Sequence, residues 1–223
     1  RNAQAWGLPR VLDFFAERRN STDEVYESEW FFLKDRLREG VSVLDVGCAQ
    51  GGFASMLAEH LSDFSYTGVD INADMIERAR VNHPGHTFHH VPEADLSDLG
   101  AVRFDLVLVL GILHLHEAWR ETLRTAWHHT GTCLIMDLRL TDGATVEDKD
   151  RSSFRMDCGG ADARHSETRL PYNIINAGEA LGAVRGICAG ARKISQYGYE
   201  HEVSDAADCP VDTVMTTVWC VER

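Results

Sequence analysis

The stretch VSVLDVGCAQGGFASMLAEHLSDFSYTGVD, residues 41–70, decides the fold of this chain. It begins with a β-branched run over 41–46, the composition of a buried parallel strand. The run ends at a glycine-rich turn over 47–52, and apolar residues at helical intervals of three and four follow. A second apolar run over 66–69 ends in Asp70. A strand, a glycine turn, a helix and a strand that closes on an acid together predict a nucleotide-binding βαβ unit.

Each part of this unit has a specific physical task. Small residues in the turn let the backbone come close to a ligand and let the helix start at once. The helix start offers free N–H groups and positive dipole character, which favour an anion. Asp70 stands where a carboxylate can accept two hydrogen bonds from a ribose diol. The unit therefore predicts a ligand that contains a nucleoside.

The residues of the turn distinguish between kinds of nucleotide ligand. The dinucleotide pattern G-x-G-x-x-G fits poorly, because Ala49 takes the middle place. The segment Asp45-Val-Gly47-Cys-Ala49-Gln-Gly51 instead resembles motif I, D/E-x-G-x-G-x-G, of class I S-adenosylmethionine (SAM) methyltransferases. Ala49 departs from that motif and leaves open whether its position takes a positive φ. The resemblance implies that Asp45, Gly47, Cys48, Ala49 and Gly51 bind SAM; a purely structural turn is the competing interpretation.

Motifs further along the chain follow in the order that the methyltransferase family requires. The resemblance implies that Ile71 lies against the adenine ring, that Asp95 accepts a hydrogen bond from the adenine amino group, and that the N–H of Leu96 meets a ring nitrogen. An ordinary solvated acid is the competing interpretation of Asp95. The strand that begins at Phe104 resembles motif IV, so the carbonyls around Leu110 would receive the amino group of the methionine portion.

The element pattern and the resemblance together predict one α/β domain. We expect a Rossmann-like sheet of seven mostly parallel strands in the order 3-2-1-4-5-7-6, with strand 7 antiparallel and helices on both faces. The last two strands are predicted from 192–203 and 211–222, which alternate and are joined by a short link. The expected parts are a two-helix N-terminal cover over 1–40, a cofactor-binding core over 41–137, a polar substrate-recognition insert over 138–171, and a last helix and β-hairpin over 172–223.

Composition limits the classes of partner. The 223 residues carry a net charge of −13, which argues against a broad nucleic-acid surface because such surfaces depend on Lys and Arg. No apolar run approaches the ~20 residues of a membrane span. The chain begins at Arg1 without an apolar signal segment, and an upstream signal stays open. Its six Cys residues show no C-x-x-C pattern, which indicates reduced thiols. We therefore expect a cytoplasmic protein with a small-molecule substrate and no nucleic-acid or membrane partner; the oligomeric state is left open, with a homodimer as one option.

Two histidines just after the fourth strand are the candidates for a general base. A nearby base helps when the acceptor is a hydroxyl, whereas for an amine it can suffice that the amine arrives deprotonated. His114 and His116 share one side if their segment is extended and diverge if it is helical. His114 also aligns with a position that often only packs over the cofactor. No metal site is predicted, because the H-x-x-x-H spacing of His86 and His90 converges only on a helix and here runs into a predicted strand.

Candidate acceptor-binding residues come from the N-terminal cover, the end of the fifth strand, the polar insert and the sixth strand. Arg139, at the end of the fifth strand, could clamp a carboxylate or phosphate in bidentate fashion. A packing or surface role is the competing interpretation for every member of this set. The set is Tyr26, Trp30, Arg139, His165, Arg169, Tyr172, Asn173 and Tyr199.

We therefore predict a class I SAM-dependent methyltransferase that acts on an O or N atom of a small metabolite or sugar-like intermediate. An RNA 2′-O-methyltransferase is one alternative, because LDVGCAQGGF resembles the loop of that group. However, residues 111–113 lack the Asp of its Lys-Asp-Lys-Glu set, and the N/D-P-P-Y/F motif of DNA amino-methyltransferases is also absent. Aminopropyl transfer would need acids where this chain has histidines. The alternative from another class is a non-catalytic nucleotide-binding or scaffold domain, against which Asp45, Asp70 and Asp95 together argue.

Overall fold

The structure is a computed structural model that describes residues 6, 9–16, 19–91, 95–156 and 169–223. Its helices are α1 (Pro9–Ala16), α2 (Glu27–Leu33), α3 (Gly52–Ala58), α4 (Ala73–Asn82), α5 (Trp119–His129) and α6 (Ala177–Ile187). Its strands are β1 (Val41–Val46), β2 (Phe64–Asp70), β3 (Thr87–His90), β4 (Phe104–Val109), β5 (Thr130–Thr141), β6 (Ser153–Arg155), β7 (Arg169–Pro171), β8 (Ile175–Asn176), β9 (Lys193–Glu202), β10 (Ala207–Asp208) and β11 (Thr213–Glu222).

The main sheet has the strand order β3-β2-β1-β4-β5-β11-β9, and the short β8 also pairs with β5. β1 runs parallel to β2 and β4, and β5 runs parallel to β4. β11 inserts antiparallel between β5 and β9. The predicted Rossmann-like order is confirmed, with β9 and β11 as the predicted sixth and seventh strands. The carboxyl ends of β1, β2, β4 and β5 meet at one edge, where ligands of such sheets bind.

Apolar layers cover both faces of this sheet. One layer joins Leu44 and Val107 of the strands to Trp119 of α5 and Val184 of α6. The opposite layer joins the alternate strand residues to α2, α3 and α4. Strands buried on both faces must be apolar at nearly every position, which explains the continuous β-branched runs of the sequence. Among the described helices, none has the length and apolar character that crossing a membrane would require.

The described residues that follow the predicted fifth strand contain more regular structure than their polar, turn-rich sequence predicts. β5 continues to Thr141, and β6, β7 and β10 form a second sheet of three antiparallel strands. β10 lies in the link between β9 and β11, so this link also supplies a strand to the second sheet. Two-residue and three-residue strands are too short to show a period in the sequence.

The N-terminal cover packs at the ligand-binding edge through a third apolar cluster. Val11 and Leu12 of α1 are buried in it together with Met75 of α4, Leu115 and Tyr172. The side-chain amide of Gln50 also donates to the Leu12 carbonyl at 2.5 Å. The cover is therefore tied to the glycine turn after β1 and to the segment after β5.

Candidate functional site

A cavity opens at the edge where the parallel strands end. Its walls come from the turn after β1, the end of β2, the turn after β4 and the N-terminal cover. Most residues predicted to bind the cofactor line this cavity, together with one of the predicted bases: Asp45, Gly47, Cys48, Ala49, Asp70, Ile71, Leu110 and His116.

The turn after β1 takes left-handed conformations at alternate positions. Gly47, Ala49 and Gly51 have φ values of 82°, 47° and 83°. The question left open at Ala49 is thereby answered: the position takes a positive φ although it carries a Cβ, at a cost of about 1–2 kcal/mol. At Gly51 an added Cβ would lie 2.9 Å from the His83 ring, so glycine is required there. Gly51 shapes the turn from behind and is not among the cavity-lining residues.

Asp70 is fixed by two backbone groups. Its Oδ2 accepts the N–H of Ala49 at 3.0 Å, and its Oδ1 accepts the N–H of Asn72 at 2.9 Å. Burial raises the pKa of this carboxyl, and the two N–H groups oppose that shift. Each carboxylate oxygen has two lone pairs, so both can still accept a further hydrogen bond from a diol in the cavity.

Asp45 is a second carboxylate at the cavity wall. It is 3% exposed, and its Oδ2 accepts the Tyr66 hydroxyl hydrogen at 2.5 Å. Burial raises the pKa of Asp45 to about 6, although the Tyr66 hydrogen bond and the Arg19 charge work in the opposite direction. A buried carboxylate whose pKa stays raised despite these two groups suits a further cationic group, such as an ammonium, in the cavity.

The turn after β4 is held by an ion pair at the end of β5. The N–H of Gly111 donates to Asp137 Oδ1 at 2.6 Å, and Arg139 Nη1 donates to Asp137 Oδ2 at 2.6 Å. Burial alone would raise the pKa of Asp137, but the Arg139 charge holds it below its usual range. The predicted acceptor residue Arg139 is therefore linked through Asp137 to the cavity-lining Gly111.

The two candidate bases differ in their surroundings. His114 is 7% exposed, packs edge-on against Tyr172 and has its Nδ1 3.8 Å from Asp137 Oδ2. Burial lowers its pKa to about 3, so the ring is neutral, and it is not among the cavity-lining residues. His116 does line the cavity, and its Nδ1 accepts the N–H of Ala118 at 3.0 Å. Its role as a base stays a prediction.

Asn173 and Tyr172 support the histidine segment. The side-chain Nδ2 of Asn173 donates to the carbonyls of Leu113 at 3.1 Å and His116 at 2.8 Å, and its backbone N–H donates to the carbonyl of His114 at 2.7 Å. Tyr172 is buried between the His114 ring and the segment after β5. Both residues therefore contact the histidine segment and do not line the cavity.

The remaining predicted residues lie around the site rather than on the cavity wall. Tyr26 and Tyr199 are exposed, and Trp30 packs against His60 with ring centroids 5.0 Å apart. Arg169 lies on the second sheet and contacts Asp208. Asp95 is exposed and accepts hydrogen bonds from Ser97, and Leu96 is buried beside it; His165 lies outside the described residues. Their functional roles stay predictions.

Arg19 is a cavity-lining residue that the sequence analysis missed. Its Nη2 lies 2.9 Å from Glu29 Oε1, and its guanidinium lies over the rings of Tyr26 and Phe53 at 5.5 and 5.4 Å. It has a φ of 61°. No motif marks an arginine between two helices, and a positive φ at a residue with a side chain has no sequence signature.

Comparisons with known proteins show which families and folds this chain is similar to. Residues 44–131 match the family model of a methyltransferase domain. Trans-aconitate 2-methyltransferase of Rhodopseudomonas palustris BisA53 is 34% identical over 37% of this chain and 30% of its own length. Fatty-acid O-methyltransferase of Mycolicibacterium smegmatis is 40% identical over 35% of this chain and 29% of its own length. The matched segment thus spans less than a third of either relative.

Among solved structures, magnesium protoporphyrin IX methyltransferase from Synechocystis PCC 6803 with bound SAM is similar in fold. The similarity covers 99% of this chain and 88% of that chain, with a TM-score of 0.56 and 14% identity. The fold is therefore that of the class I SAM-dependent methyltransferases. Residues 44–131, the segment that matches the methyltransferase-domain model, lie within this fold.

Proposed function

We propose that this protein is a SAM-dependent methyltransferase that acts on an O or N atom of a small metabolite or sugar-like intermediate. One observation carries the proposal: the turn after β1 brings Asp45 and Asp70 to the wall of a single cavity, one suited to an ammonium and the other to a ribose diol. SAM carries both groups. The names of the two curated relatives, for trans-aconitate and a fatty acid, support a small-molecule acceptor.

The residues fit the cofactor. An added Cβ at Gly68 of β2 would lie 2.7 Å from Cys48 Sγ, and one at Gly47 would lie 2.8 Å from Ile112, so the turn packs closely against both β2 and the turn after β4. We expect Asp70 to bind the ribose, Asp45 to meet the methionine ammonium and Ile71 to lie against the adenine. SAM supplies an electrophilic methyl group on a sulfonium. The protein has to align the acceptor with that methyl and exclude water.

The wider predictions belong to the same proposal. We expect a cytoplasmic enzyme without a nucleic-acid partner, because a net charge of −13 opposes phosphate binding. We expect Asp95 and Leu96 to complete the adenine site. A homodimer is one option for the assembly.

Isothermal titration of SAM and S-adenosylhomocysteine tests the cofactor assignment. Asp70→Ala removes two hydrogen bonds to a charged group, so we expect a loss of about 3 kcal/mol, or about 100-fold in affinity. Asp35→Ala, at an exposed acid outside the cavity, is the matched control and should bind as the wild type does. Thermal unfolding of each variant separates lost binding from lost folding.

Two outcomes would redirect the proposal. If the wild type binds neither compound, the cofactor assignment fails and a scaffold role replaces it. If it binds both but forms no S-adenosylhomocysteine with any small-molecule acceptor or RNA offered, the domain is a non-catalytic nucleotide-binding module.

A further inference from the structure

We propose that the methyl acceptor is a small carboxylate anion, that Arg19 and Arg139 hold it, and that its methylation needs no general base. This inference rests on the proposed function, because it names the acceptor class of the same site. Three features of the described residues support it: the placement of Arg19, the placement of Arg139, and the protonation and hydrogen bonding of the side chains that line the cavity.

Arg19 lies at the cavity in an unfavourable backbone conformation, and one of its guanidinium nitrogens has no hydrogen-bond partner among the described residues. Its φ of 61° is rare for a residue with a side chain, and such conformations concentrate at functional sites. Its Nη2 pairs with Glu29, and a Cβ added at Gly111 would lie 3.7 Å from that same nitrogen. Its Nη1 is buried and has no hydrogen-bond partner among the residues that the structure describes. An anion beside Gly111 would meet this guanidinium after a small side-chain shift.

Arg139 approaches the same turn from the end of β5. Its side chain is 16% exposed, and its Nη1 contacts Asp137, which in turn holds the N–H of Gly111. The planar guanidinium has five donors, so the bonds to Asp137 and Tyr172 leave others for a ligand. Burial raises the pKa of Tyr199, which is 43% exposed, and the nearby Arg139 charge opposes that shift. Arg19 therefore lies beside Gly111, and Arg139 is linked to Gly111 through Asp137, with an exposed tyrosine on the Arg139 side.

The titratable side chains on the described cavity wall do not include a suitable base. Asp45 and Asp70 are assigned to the cofactor, and burial raises the pKa of the Cys48 thiol, which stays protonated. Burial lowers the pKa of His116, so its ring is neutral. Its Nδ1 already accepts the Ala118 N–H, which leaves the ring proton on Nε2. That nitrogen can donate a hydrogen bond to an acceptor oxygen but cannot remove a proton.

The other three acidic or basic groups near the turn, His114, Asp137 and Glu29, are also excluded. His114 is neutral and is not on the cavity wall. Asp137 is also not on the cavity wall, and its two oxygens accept from Gly111 and Arg139. Glu29 is 2% exposed and paired with Arg19, which stands between it and the cavity. A hydroxyl or ammonium acceptor would thus have no described group to take its proton. A carboxylate has no proton to lose at neutral pH.

The reaction balances without a proton transfer. A lone pair of the carboxylate oxygen forms the new C–O bond to the methyl carbon, and the C–S bond breaks with its electron pair left on sulfur. The products are a methyl ester and S-adenosylhomocysteine. The negative charge of the acid and the positive charge of the sulfonium cancel, so the arginines need only hold the acid in line before transfer.

The test follows the methyl group of SAM labelled on its methyl carbon. Dodecanoate and trans-aconitate are offered as acids, and dodecanol, dodecylamine and dodecanamide are the matched compounds without a carboxylate. A methyl ester releases labelled, volatile methanol in alkali, whereas methyl ethers and methylamines do not. We expect alkali-labile label on at least one acid and none on its matched compounds. Alkali-stable label on the alcohol, the amine or the amide would overturn the proposal.

Binding to the S-adenosylhomocysteine complex tests the arginines without turnover. The acid that is methylated is titrated into the complex of the wild type, Arg19→Gln and Arg139→Gln, with Arg192→Gln, at an exposed arginine far from the cavity, as control. Loss of a charge-assisted contact should weaken acid binding about tenfold or more in the first two variants and leave the control unchanged. Affinity for S-adenosylhomocysteine should stay within about twofold of wild type in Arg19→Gln.

The outcomes separate this inference from the proposed function. If Arg19→Gln weakens S-adenosylhomocysteine as strongly as it weakens the acid, Arg19 holds the cofactor and its acceptor role is wrong. If S-adenosylhomocysteine binds the wild type but neither acid is methylated, the carboxylate assignment fails and the cofactor assignment stands. If S-adenosylhomocysteine does not bind, the proposed function itself fails. Because Arg139 also holds Asp137, Arg139→Lys keeps the charge and shows whether folding alone explains the loss.

Discussion

Asp45 sets the pH dependence that we expect for cofactor binding. Burial raises its pKa from 3.8 to about 6 in the folded protein. A gap of about two pKa units corresponds to about 3 kcal/mol. Because the folded-state pKa is raised, the contribution of Asp45 to stability is full below its unfolded pKa of 3.8. That contribution is lost as the pH rises through about 6. An ammonium in the cavity would recover part of that energy by pairing with the ionised form.

The affinity for S-adenosylhomocysteine, which carries the ammonium, should therefore rise with pH. With a pKa of about 6, roughly a tenth of Asp45 is ionised at pH 5 and roughly nine tenths at pH 7. Binding should be about tenfold weaker at pH 5, with nearly one proton released per molecule bound. Asp45→Asn keeps an oxygen for Tyr66 but removes the titration, so it should bind more weakly at pH 7 and lose this proton release.

Isothermal titration in two buffers of different ionisation enthalpy measures both quantities. Asp70 also has a raised pKa, so the difference between the wild type and Asp45→Asn, rather than the wild-type profile alone, isolates Asp45. Tyr66→Phe provides a further check: loss of the hydrogen bond that lowers the pKa should move the midpoint to higher pH. The reasoning is refuted if Asp45→Asn keeps the tenfold change and the proton release of the wild type.

Three further predictions concern the turn and the histidine segment. Gly51→Ala should lower the free energy of unfolding by about 1–3 kcal/mol in denaturant titrations, because its φ is 83° and the new Cβ would clash with His83. Ala49→Gly should be neutral or stabilising by up to about 1 kcal/mol. If Ala49→Gly were the more destabilising of the two, the backbone argument would be contradicted. Asn173→Asp replaces two buried hydrogen bonds to carbonyls with repulsion, so we expect the free energy of unfolding to fall by about 1–3 kcal/mol in the same titrations. An unchanged unfolding midpoint would show that these bonds do not stabilise the histidine segment. In the folded protein the pKa of His114 is lowered from 6.5 to about 3, so its contribution to stability is present above pH 6.5 and is lost as the pH falls towards 3. His114→Gln should therefore lose less stability between pH 6.5 and pH 4 than the wild type does. Parallel curves of unfolding free energy against pH for the two proteins would refute this.

The sequence predicted the parts of this protein that repeat a local pattern. The β-branched runs and the glycine turn defined β1 and β2, because strands buried on both faces and left-handed turns leave a composition signal. The strand order around them came from the resemblance to the methyltransferase family. The loop over Asp45–Gly51 was found in the same way. The second sheet was missed because its strands are two or three residues long and come from distant segments. The different surroundings of His114 and His116 depend on tertiary burial, for which their shared sequence motif carries no signal.

The two strained residues locate the functional cavity independently of any motif. Among the described residues that carry a side chain, Arg19 and Ala49 are the ones with a positive φ, and both line the same cavity. Each conformation costs about 1–2 kcal/mol, which the surrounding structure must offset. At Ala49 the conformation aims a backbone N–H at Asp70, and at Arg19 it accompanies a guanidinium aimed at the turn of Gly111. Ala49 lies inside the family match over 44–131, and Arg19 lies outside it. Because Arg19 lies outside the matched segment, its strain agrees with the acceptor-binding role proposed above rather than with a role in the cofactor loop.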